Sequence, residues 1–579
     1  MTMLTKWGAV LDRSCPLPEY PRPQLRRESF YNLNGVWDYA VTSSGDEPEV
    51  WDGEIVVPFS PEAPLSGAAR GPAKDEYLHY RRGFTLPEGF QKSRVLLHFG
   101  AVDQIAEVFV NGVSAAKHSG GYWPFSADIT SLLREGENIL RVTVRDNADD
   151  PTFAYGKQRY KRGGMWYTAQ SGIWQTVWLE SVPEVYVKSL RITPEFDEAR
   201  VRIELETALE SSAAITCDVR AADGSFVAGS WAKGGVCVVP LPGFRAWTPD
   251  DPYLYTLDIT CGEDHVESYF AMRKFSYVEL GGHKVFGLNN APLFHNGLLD
   301  QGYYPDGLLT PPSDEAMVND IETMKRCGFN MLRKHIKIEP LRWYYHCDRL
   351  GMIVWQDMVS GGQPYSFLHV SALPTLGKVD LPDQDAKPYG RSGVLSRARF
   401  RREMADTVRL LYNCPCIALW TVFNEGWGQF DALDMANELK KLDPTRFIDH
   451  ASGWQDQGYE EMKSRHIYFR PVKLKNDGRA LALTEYGGYI LAVDGHRWTD
   501  KVFGYRICRD SAALAHDYEK LMLGQVLPHI RKEGLTAAVY TQITDVEEEL
   551  NGLMTYDREV LKIPEETLRE INAALRFDA

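Results

Sequence analysis

From about residue 31 to residue 180, apolar and polar positions alternate in short runs. Arg94-Val-Leu-Leu-His-Phe99, Ala106-Glu-Val-Phe-Val110 and Ile139-Leu-Arg-Val-Thr-Val144 are rich in β-branched and aromatic residues, and Asn111-Gly112, Gly120-Gly121 and Glu135-Gly136 fall between them. A period of two, broken by turn dipeptides, predicts an all-β sandwich in which every second side chain enters a shared core. Short strands continue in Arg200-Val-Arg-Ile-Glu-Leu205, Ile215-Thr-Cys-Asp-Val219 and Leu254-Tyr-Thr-Leu-Asp-Ile259. That stretch is close to the ~100 residues of an immunoglobulin-like β-sandwich.

After Phe275 the period changes. Amphipathic helical patterns over 314–327, 397–412 and 432–442, and another ending at 349, now alternate with apolar runs. Ser313 is placed to cap the first of them, and Gly328 to end it. The runs are Val285-Phe-Gly287, Phe329-Asn-Met-Leu-Arg333, Met352-Ile-Val-Trp-Gln356, Ile417-Ala-Leu-Trp-Thr-Val-Phe423, Arg446-Phe-Ile-Asp449, His466-Ile-Tyr-Phe469, Ala480-Leu-Ala-Leu-Thr484 and Ala537-Ala-Val-Tyr-Thr541. Eight such strands predict a C-terminal (β/α)8 TIM barrel, with the Pro- and Gly-rich stretch 361–393 as a long loop after the third strand. An open doubly wound sheet is the competing reading, but no Gly-x-Gly-x-x-Gly follows any strand. The expected division is a sandwich over 1–185, an immunoglobulin-like unit over 186–276 and a catalytic barrel over 277–579.

Charge and composition narrow the partners. A formal charge of -15 argues against nucleic acid and anionic membrane surfaces, both of which call for a basic patch. No apolar stretch nears the ~18 residues of a membrane span, and residues 1–15 lack the apolar centre of a signal peptide. Nine scattered cysteines, an odd number, do not form a disulfide framework. Cys414 and Cys416 lack the second ligand pair of a zinc site. A cytoplasmic protein without cofactor or metal, acting on a small-molecule or oligosaccharide substrate, is expected; homo-oligomerisation is left open.

In a TIM barrel, chemistry sits just past the strand C-termini. Those positions hold Arg333, His335, Asp357, Asn424, Glu425, Trp454, Tyr468, Glu485, Tyr486 and Asp545. Glu425 and Glu485 each abut an apolar strand, where a carboxylate is costly unless it is hydrogen-bonded or used. There is no nucleophile-elbow serine, His-Glu-x-x-His or phosphate loop. Two carboxylates on the fourth and seventh strands therefore point to glycosidic chemistry, one as proton donor and one as nucleophile. Tyr468, Tyr486 and Trp454 would suit stacking on sugar faces.

Ile417-Ala-Leu-Trp-Thr-Val-Phe-Asn-Glu425, Asn330-Met-Leu-Arg-Lys-His335 and Leu483-Thr-Glu-Tyr-Gly487 resemble catalytic-barrel motifs of glycoside hydrolase family 2. Tyr31-Asn-Leu-Asn-Gly-Val-Trp37, Tyr80-Arg-Arg-Gly-Phe84, Val108-Phe-Val-Asn-Gly112 and Ser171-Gly-Ile-Trp-Gln-Thr-Val-Trp178 are similar to that family's N-terminal β jelly roll, a sugar-binding domain. The resemblance implies Glu425 as general acid/base, Glu485 as nucleophile and Asn424 as the partner of the sugar 2-hydroxyl. It also implies a retaining exo-glycosidase, and a jelly-roll loop over 156–170 that reaches the barrel mouth, with Trp166 as its expected sugar-facing residue.

Departures bear on the sugar. Thr541 stands where the family's β-galactosidases and β-glucuronidases usually carry Trp, and Glu549-Leu-Asn551 replaces the Asn-x-Lys of glucuronidases. Trp355-Gln-Asp357 is closer to the mannosidase and exo-glucosaminidase branches, and Asp357 is expected to hydrogen-bond rather than ligate a metal. A β-galactoside is the first expectation. β-Mannosidase, exo-β-glucosaminidase, α-L-arabinosidase and β-glucuronidase activity are the alternatives within the family, and a catalytically inactive carbohydrate-binding protein is the alternative outside it.

Overall fold

The alternation in the first third of the chain folds into two facing antiparallel sheets. The structure, a computed structural model, describes residues 3–209, 214–377 and 380–578. The larger sheet has six strands, with Glu137–Arg145 paired along its full length to Tyr77–Thr85 and on its other side to Ile105–Val110. Asn138, Leu140, Val142 and Val144 from the first of these are buried, as a period of two requires. A four-stranded sheet carrying Val177–Val182 and Arg94–Phe99 covers the opposite face. A second sandwich follows, of three strands (Val187–Glu195, Arg200–Thr207, Val236–Pro240) and four (Phe226–Trp231, Ile215–Arg220, Tyr255–Cys261, Asp264–Phe270). Its core is a separate cluster that includes Ile203, Val219, Leu257 and Val239.

Eight parallel strands form the barrel: His295–Asp300, Met331–Lys334, Ile353–Asp357, Ile417–Thr421, Phe447–Asp449, Met462–Ile467, Ala480–Gly487 and Leu535–Thr541. The hydrogen-bonded ladder runs without interruption from the fifth strand through the fourth, third, second, first, eighth and seventh to the sixth, leaving the fifth and sixth unpaired. Ser313 caps the helix Asp314–Arg326 by accepting from the Ala316 amide at 3.2 Å.

The first strand differs from expectation. Val285-Phe-Gly287 lies not in the barrel but in a hairpin, His283–Leu288 against Phe275–Leu280, and His295–Asp300 takes its place in the barrel. The hairpin is apolar because it plugs the barrel floor. Phe286 stacks on Phe447 at 4.3 Å and meets Trp355 edge-on at 5.9 Å, and its amide donates to Thr536 Oγ1 at 2.6 Å. Periodicity cannot tell a buried plug from a buried strand. The sixth strand also begins earlier than its apolar run, at Met462, because Lys463 and Arg465 alternate with inward Ser464 and His466.

The jelly roll is fastened to the barrel mouth. Trp123 Nε1 donates to Thr407 Oγ1 at 3.1 Å, and Thr310 Oγ1 donates to the Trp174 carbonyl at 2.7 Å. The amides of Tyr155 and Gly156 both donate to the Ser360 carbonyl, at 3.1 and 2.9 Å, on the loop after the third barrel strand.

Candidate active site

Arg333 organises the floor of the barrel mouth. It is next to last on the second strand, is fully buried, and its fork meets Asp357 on the third strand through Nε–Oδ1 at 2.9 Å and Nη2–Oδ2 at 3.0 Å. Nη2 also donates to Asn424 Oδ1 at 2.8 Å, and Nη1 donates to Glu485 Oε1 at 3.2 Å and to the Thr484 carbonyl at 3.1 Å. One guanidinium thus sets the third, fourth and seventh strand ends relative to one another, which the rigid geometry of Arg permits and the point charge of Lys does not. His335 Nδ1 adds a contact to Asp357 Oδ2 at 2.7 Å. Burial would raise the Asp357 carboxyl, but Arg333 and His335 together hold it down at about 2. Burial itself keeps His335 below its ordinary value.

Glu425 is positioned by backbone conformation. It and Gly426 both have positive φ, 55° and 75°, in a tight turn closed by the Trp427 amide on the Asn424 carbonyl at 2.9 Å. A glutamate in the left-handed region is uncommon and is held by its surroundings. Here its amide donates to the Ser452 carbonyl at 2.9 Å, and Trp454 Nε1 donates to its carbonyl at 2.8 Å. Its side chain keeps 23% of its surface open against 6% for Glu485, so the two carboxyls differ in access. Burial around it raises the Glu425 carboxyl above the ordinary range, opposed by Lys157, His335 and Arg333.

Between the two glutamates stands His466. Its Nδ1 lies 2.8 Å from Glu425 Oε1 and 3.6 Å from Glu485 Oε2. Burial drives the imidazole down to about 3, so it is neutral at ordinary pH. The hydrogen-bond order then fixes its tautomer. Thr484 Oγ1 donates to the Arg465 carbonyl at 3.4 Å and Ser452 Oγ donates to Thr484 Oγ1 at 3.0 Å, so His466 Nε2–H donates to Ser452 Oγ at 3.1 Å. In that order Nδ1 is the accepting nitrogen, 2.8 Å from Glu425 Oε1. Glu485 Oε2, for its part, accepts from Tyr468 at 2.5 Å, and Tyr468 stacks on Tyr505 at 4.0 Å. One oxygen each of Glu425 and Glu485 and one His466 nitrogen lie within 4.8 Å of one another, the only such convergence of metal-ligand types among the described residues. Arg333 already supplies a cation to this carboxylate pair.

The structure gathers Glu425, Glu485, Asn424, Arg333, His335, Asp357, Trp454 and Tyr468 around one mouth. Trp166 sits at its jelly-roll side, edge-on to Trp427 at 5.0 Å, with the Arg159 guanidinium 4.4 Å from its ring. Tyr486 does not belong to this group. Since Glu485 points inward, its neighbour points outward, and Tyr486 is buried against Tyr540 with its hydroxyl on Met522 Sδ at 3.1 Å. Asp545 is likewise engaged elsewhere, with Lys562 at 2.6 Å. Sequence reasoning missed His466, although Tyr468, His466 and Ser464 share one face by strand alternation. Thr541, singled out in the sequence as the residue in place of the family's Trp, has its Oγ1 3.1 Å from the Tyr468 hydroxyl.

A sandwich, an immunoglobulin-like unit and a barrel with two convergent glutamates describe a class, and the chain belongs to glycoside hydrolase family 2. Residues 64–183 match the sugar binding domain of glycosyl hydrolases family 2, 311–473 its TIM barrel domain, and 185–273 a further model described as glycosyl hydrolases family 2. A β-galactosidase of Thermoanaerobacter pseudethanolicus is 25% identical over 387 residues, which are 63% of this chain and 47% of that protein. The β-glucuronidase of Homo sapiens is 23% identical over 510 residues, 78% of this chain and 73% of that one. The chain spans less than half the length of the β-galactosidases it matches. A solved β-glucuronidase from an uncultured Clostridium sp. superposes with a TM-score of 0.74 at 19% identity, over 95% of this chain and 98% of its own, a likeness of fold.

Proposed function

We propose that this protein is a retaining exo-glycosidase that removes a terminal sugar by double displacement, with a β-galactoside as the first expected substrate. One observation carries the reading: oxygens of Glu425 and Glu485 approach within 4.8 Å. Retaining enzymes hold their carboxyls roughly 5–5.5 Å apart, and inverting ones about 6.5–9.5 Å, to admit a water. In this reading Glu485, oriented by Arg333 and Tyr468, attacks the anomeric carbon. Glu425 gives its proton to the departing oxygen, then takes one from the water that releases the sugar. Asn424 spends its Oδ1 on Arg333, which leaves Nδ2 to donate to a sugar hydroxyl. Asp357 and His335 act through Arg333 as positioning residues. A reducing, cytoplasmic setting is part of the same reading, supported by nine free cysteines.

The test is the anomer first released. Proton NMR of early hydrolysis should show the substrate's own configuration, and a 2-deoxy-2-fluoro glycoside should label Glu485. Release of the opposite anomer would overturn Glu485 as nucleophile. A panel of nitrophenyl glycosides addresses the other class: sugar binding without nitrophenol release from any of them would favour an inactive carbohydrate-binding protein.

Two further outcomes follow from the same geometry. Because Glu425 must be protonated to act and burial raises its carboxyl, kcat/KM should decline as pH rises through a value above the ordinary 4.5 of Glu, and not below it. A pH profile on an unactivated glycoside reads this directly, and a decline complete by pH 4.5 would remove Glu425 as the acid. Trp166→Ala should raise KM several-fold with the fold intact, because an aromatic wall that excludes water from the pocket is lost. Unchanged kinetics on the best substrate would take Trp166 out of the pocket wall.

A further inference from the structure

The sixth barrel strand lacks its usual cover. A TIM barrel follows each strand with a helix, yet no helix lies between Met462–Ile467 and Ala480–Gly487. The segment 468–479 crosses there instead, with Val472 and Leu474 buried and Lys473 and Lys475 exposed. Strand alternation sets Lys463 and Arg465 on the face opposite the inward Ser464 and His466. A cavity of about 440 Å³ is left, and Lys463, Arg465, Arg470, Lys473 and Lys475 all line it. No aspartate or glutamate does. Lys463 pairs with Asp477 at 3.0 Å, and Arg465 reaches Asp380 only at 3.5 Å. Among the described residues, no ion pair neutralises Arg470, Lys473 or Lys475.

In a chain of net charge -15, one cavity with five cations and no acid focuses a positive field. Its lining joins it to the glutamates, because Trp454, His466 and Tyr468 belong both to the cavity and to the mouth. Trp454 donates to the Glu425 carbonyl at 2.8 Å, and His466 Nδ1 lies 2.8 Å from the Glu425 carboxyl. The cavity therefore adjoins the glutamate read as proton donor. That donor must reach the glycosidic oxygen, so whatever lies beyond the oxygen departs on its side. Phe469 adds a flat apolar face: it is 74% exposed and stands edge-on to Tyr505 at 4.9 Å. From Lys463 to Tyr468 the strand direction covers about 16 Å, longer than one sugar unit.

We propose that this cavity binds the leaving portion of the substrate, and that this portion is an acidic oligosaccharide. Its carboxylate or sulfate-ester groups pair with Arg465, Arg470, Lys473 and Lys475, and Phe469 stacks on a sugar face. The two guanidiniums suit oxyanions through paired N–H donors, and the lysines act as point charges. The proposal rests on the glycosidase reading and adds to it the class of chain from which the terminal sugar is cut. A neutral chain leaves these cations in water, whereas an acidic one brings their partners.

Chains that differ only in charge decide it. The terminal sugar identified by the nitrophenyl panel is placed on tri-galacturonate and on its methyl ester, and on a sulfated trisaccharide and its unsulfated parent. The wild type is expected to favour an acidic chain over its neutral match by about 10-fold in kcat/KM at low salt, the worth of two partly solvated ion pairs. A preference confined to the sulfated chain supports the site equally and identifies sulfate as the anion. The advantage should vanish near 1 M salt, where charges are screened within ~3 Å. The double variant Lys473→Glu/Lys475→Glu should lose or invert the preference and keep wild-type kinetics on the nitrophenyl glycoside, since both lysines are exposed and neither touches the mouth. A merely structural role would lower every substrate alike. Equal rates on both members of both pairs in the wild type, or a preference that the double variant retains, would overturn the proposal. If no sugar is released from any substrate, it is the glycosidase reading that fails. Calorimetry with tri-galacturonate and the sulfated trisaccharide then judges the cavity by itself. Binding by the wild type that the double variant loses supports it. No binding, equal binding by both proteins, or tighter binding of a single-stranded oligonucleotide refutes it.

Discussion

Glu485→Gln is expected to lower kcat by about 10⁴-fold or more on every glycoside, activated or not, because the carboxylate assigned to form the covalent intermediate is gone. Glu425→Ala should behave differently. On an aryl glycoside whose leaving group needs no protonation, the first step should survive and water attack should become limiting. The general-acid share of roughly 10²–10⁴ should be lost only on poor leaving groups. Azide, small enough to occupy the space left by the carboxyl and needing no base, should restore part of the rate and yield a glycosyl azide of retained configuration. Steady-state kinetics with a series of aryl leaving groups separates the two variants. If both lose the same factor on the most activated member, and azide rescues neither, the division of roles between the two glutamates is wrong.

Arg333→Met is expected to produce the largest loss of stability of any single change near the mouth. The substitution preserves much of the apolar stem but strips Asp357, Asn424 and Glu485 of their shared donor inside a site that is itself buried. Removing one member of a buried ion pair costs about 3–5 kcal/mol, because the other charge stays behind without compensation. The double variant Arg333→Met/Asp357→Asn should recover part of that loss, since the orphaned charge is gone. Thermal and denaturant midpoints followed by tryptophan fluorescence would read the cycle. A midpoint in Arg333→Met equal to wild type would mean that the guanidinium is not compensating Asp357. The same pair sets an acid dependence. Asp357 is held at about 2, below its ordinary 3.8, so its contribution is complete above pH 4 and is lost as the pH falls towards 2.

Much of this architecture was legible in one dimension, because period and turn chemistry are local. The alternation in Ile139-Leu-Arg-Val-Thr-Val144 survives as a full-length strand, and Ser313 caps the helix it was read to cap. Glu425 and Glu485 could be picked out because each sits where an apolar run ends, and a carboxylate at such a place must be engaged. Arg333, His335 and Asp357 were legible for the same reason, although the sequence does not say that one guanidinium would touch three strands at once.

What lay beyond the sequence depends on which elements face each other. The plug formed by Val285-Phe-Gly287 has the same apolar pattern as a barrel strand, and only its contacts with Phe447 and Trp355 distinguish them. Tyr486 was misplaced because proximity in the chain to Glu485 says nothing of side, whereas the pleat sends it into the helical layer. His466 had the reverse fate: a histidine within a strand has no signature until Glu425, Ser452 and Thr484, from three other segments, close around it and order its proton. Lys157 is one of several cations in the loop 156–170, and its burial arises from docking the jelly roll on the barrel. Local pattern determines which elements form and where their ends lie. Tertiary packing decides which charges are dry, which are paired and which await a partner, because burial and distance are properties of two segments and not of one.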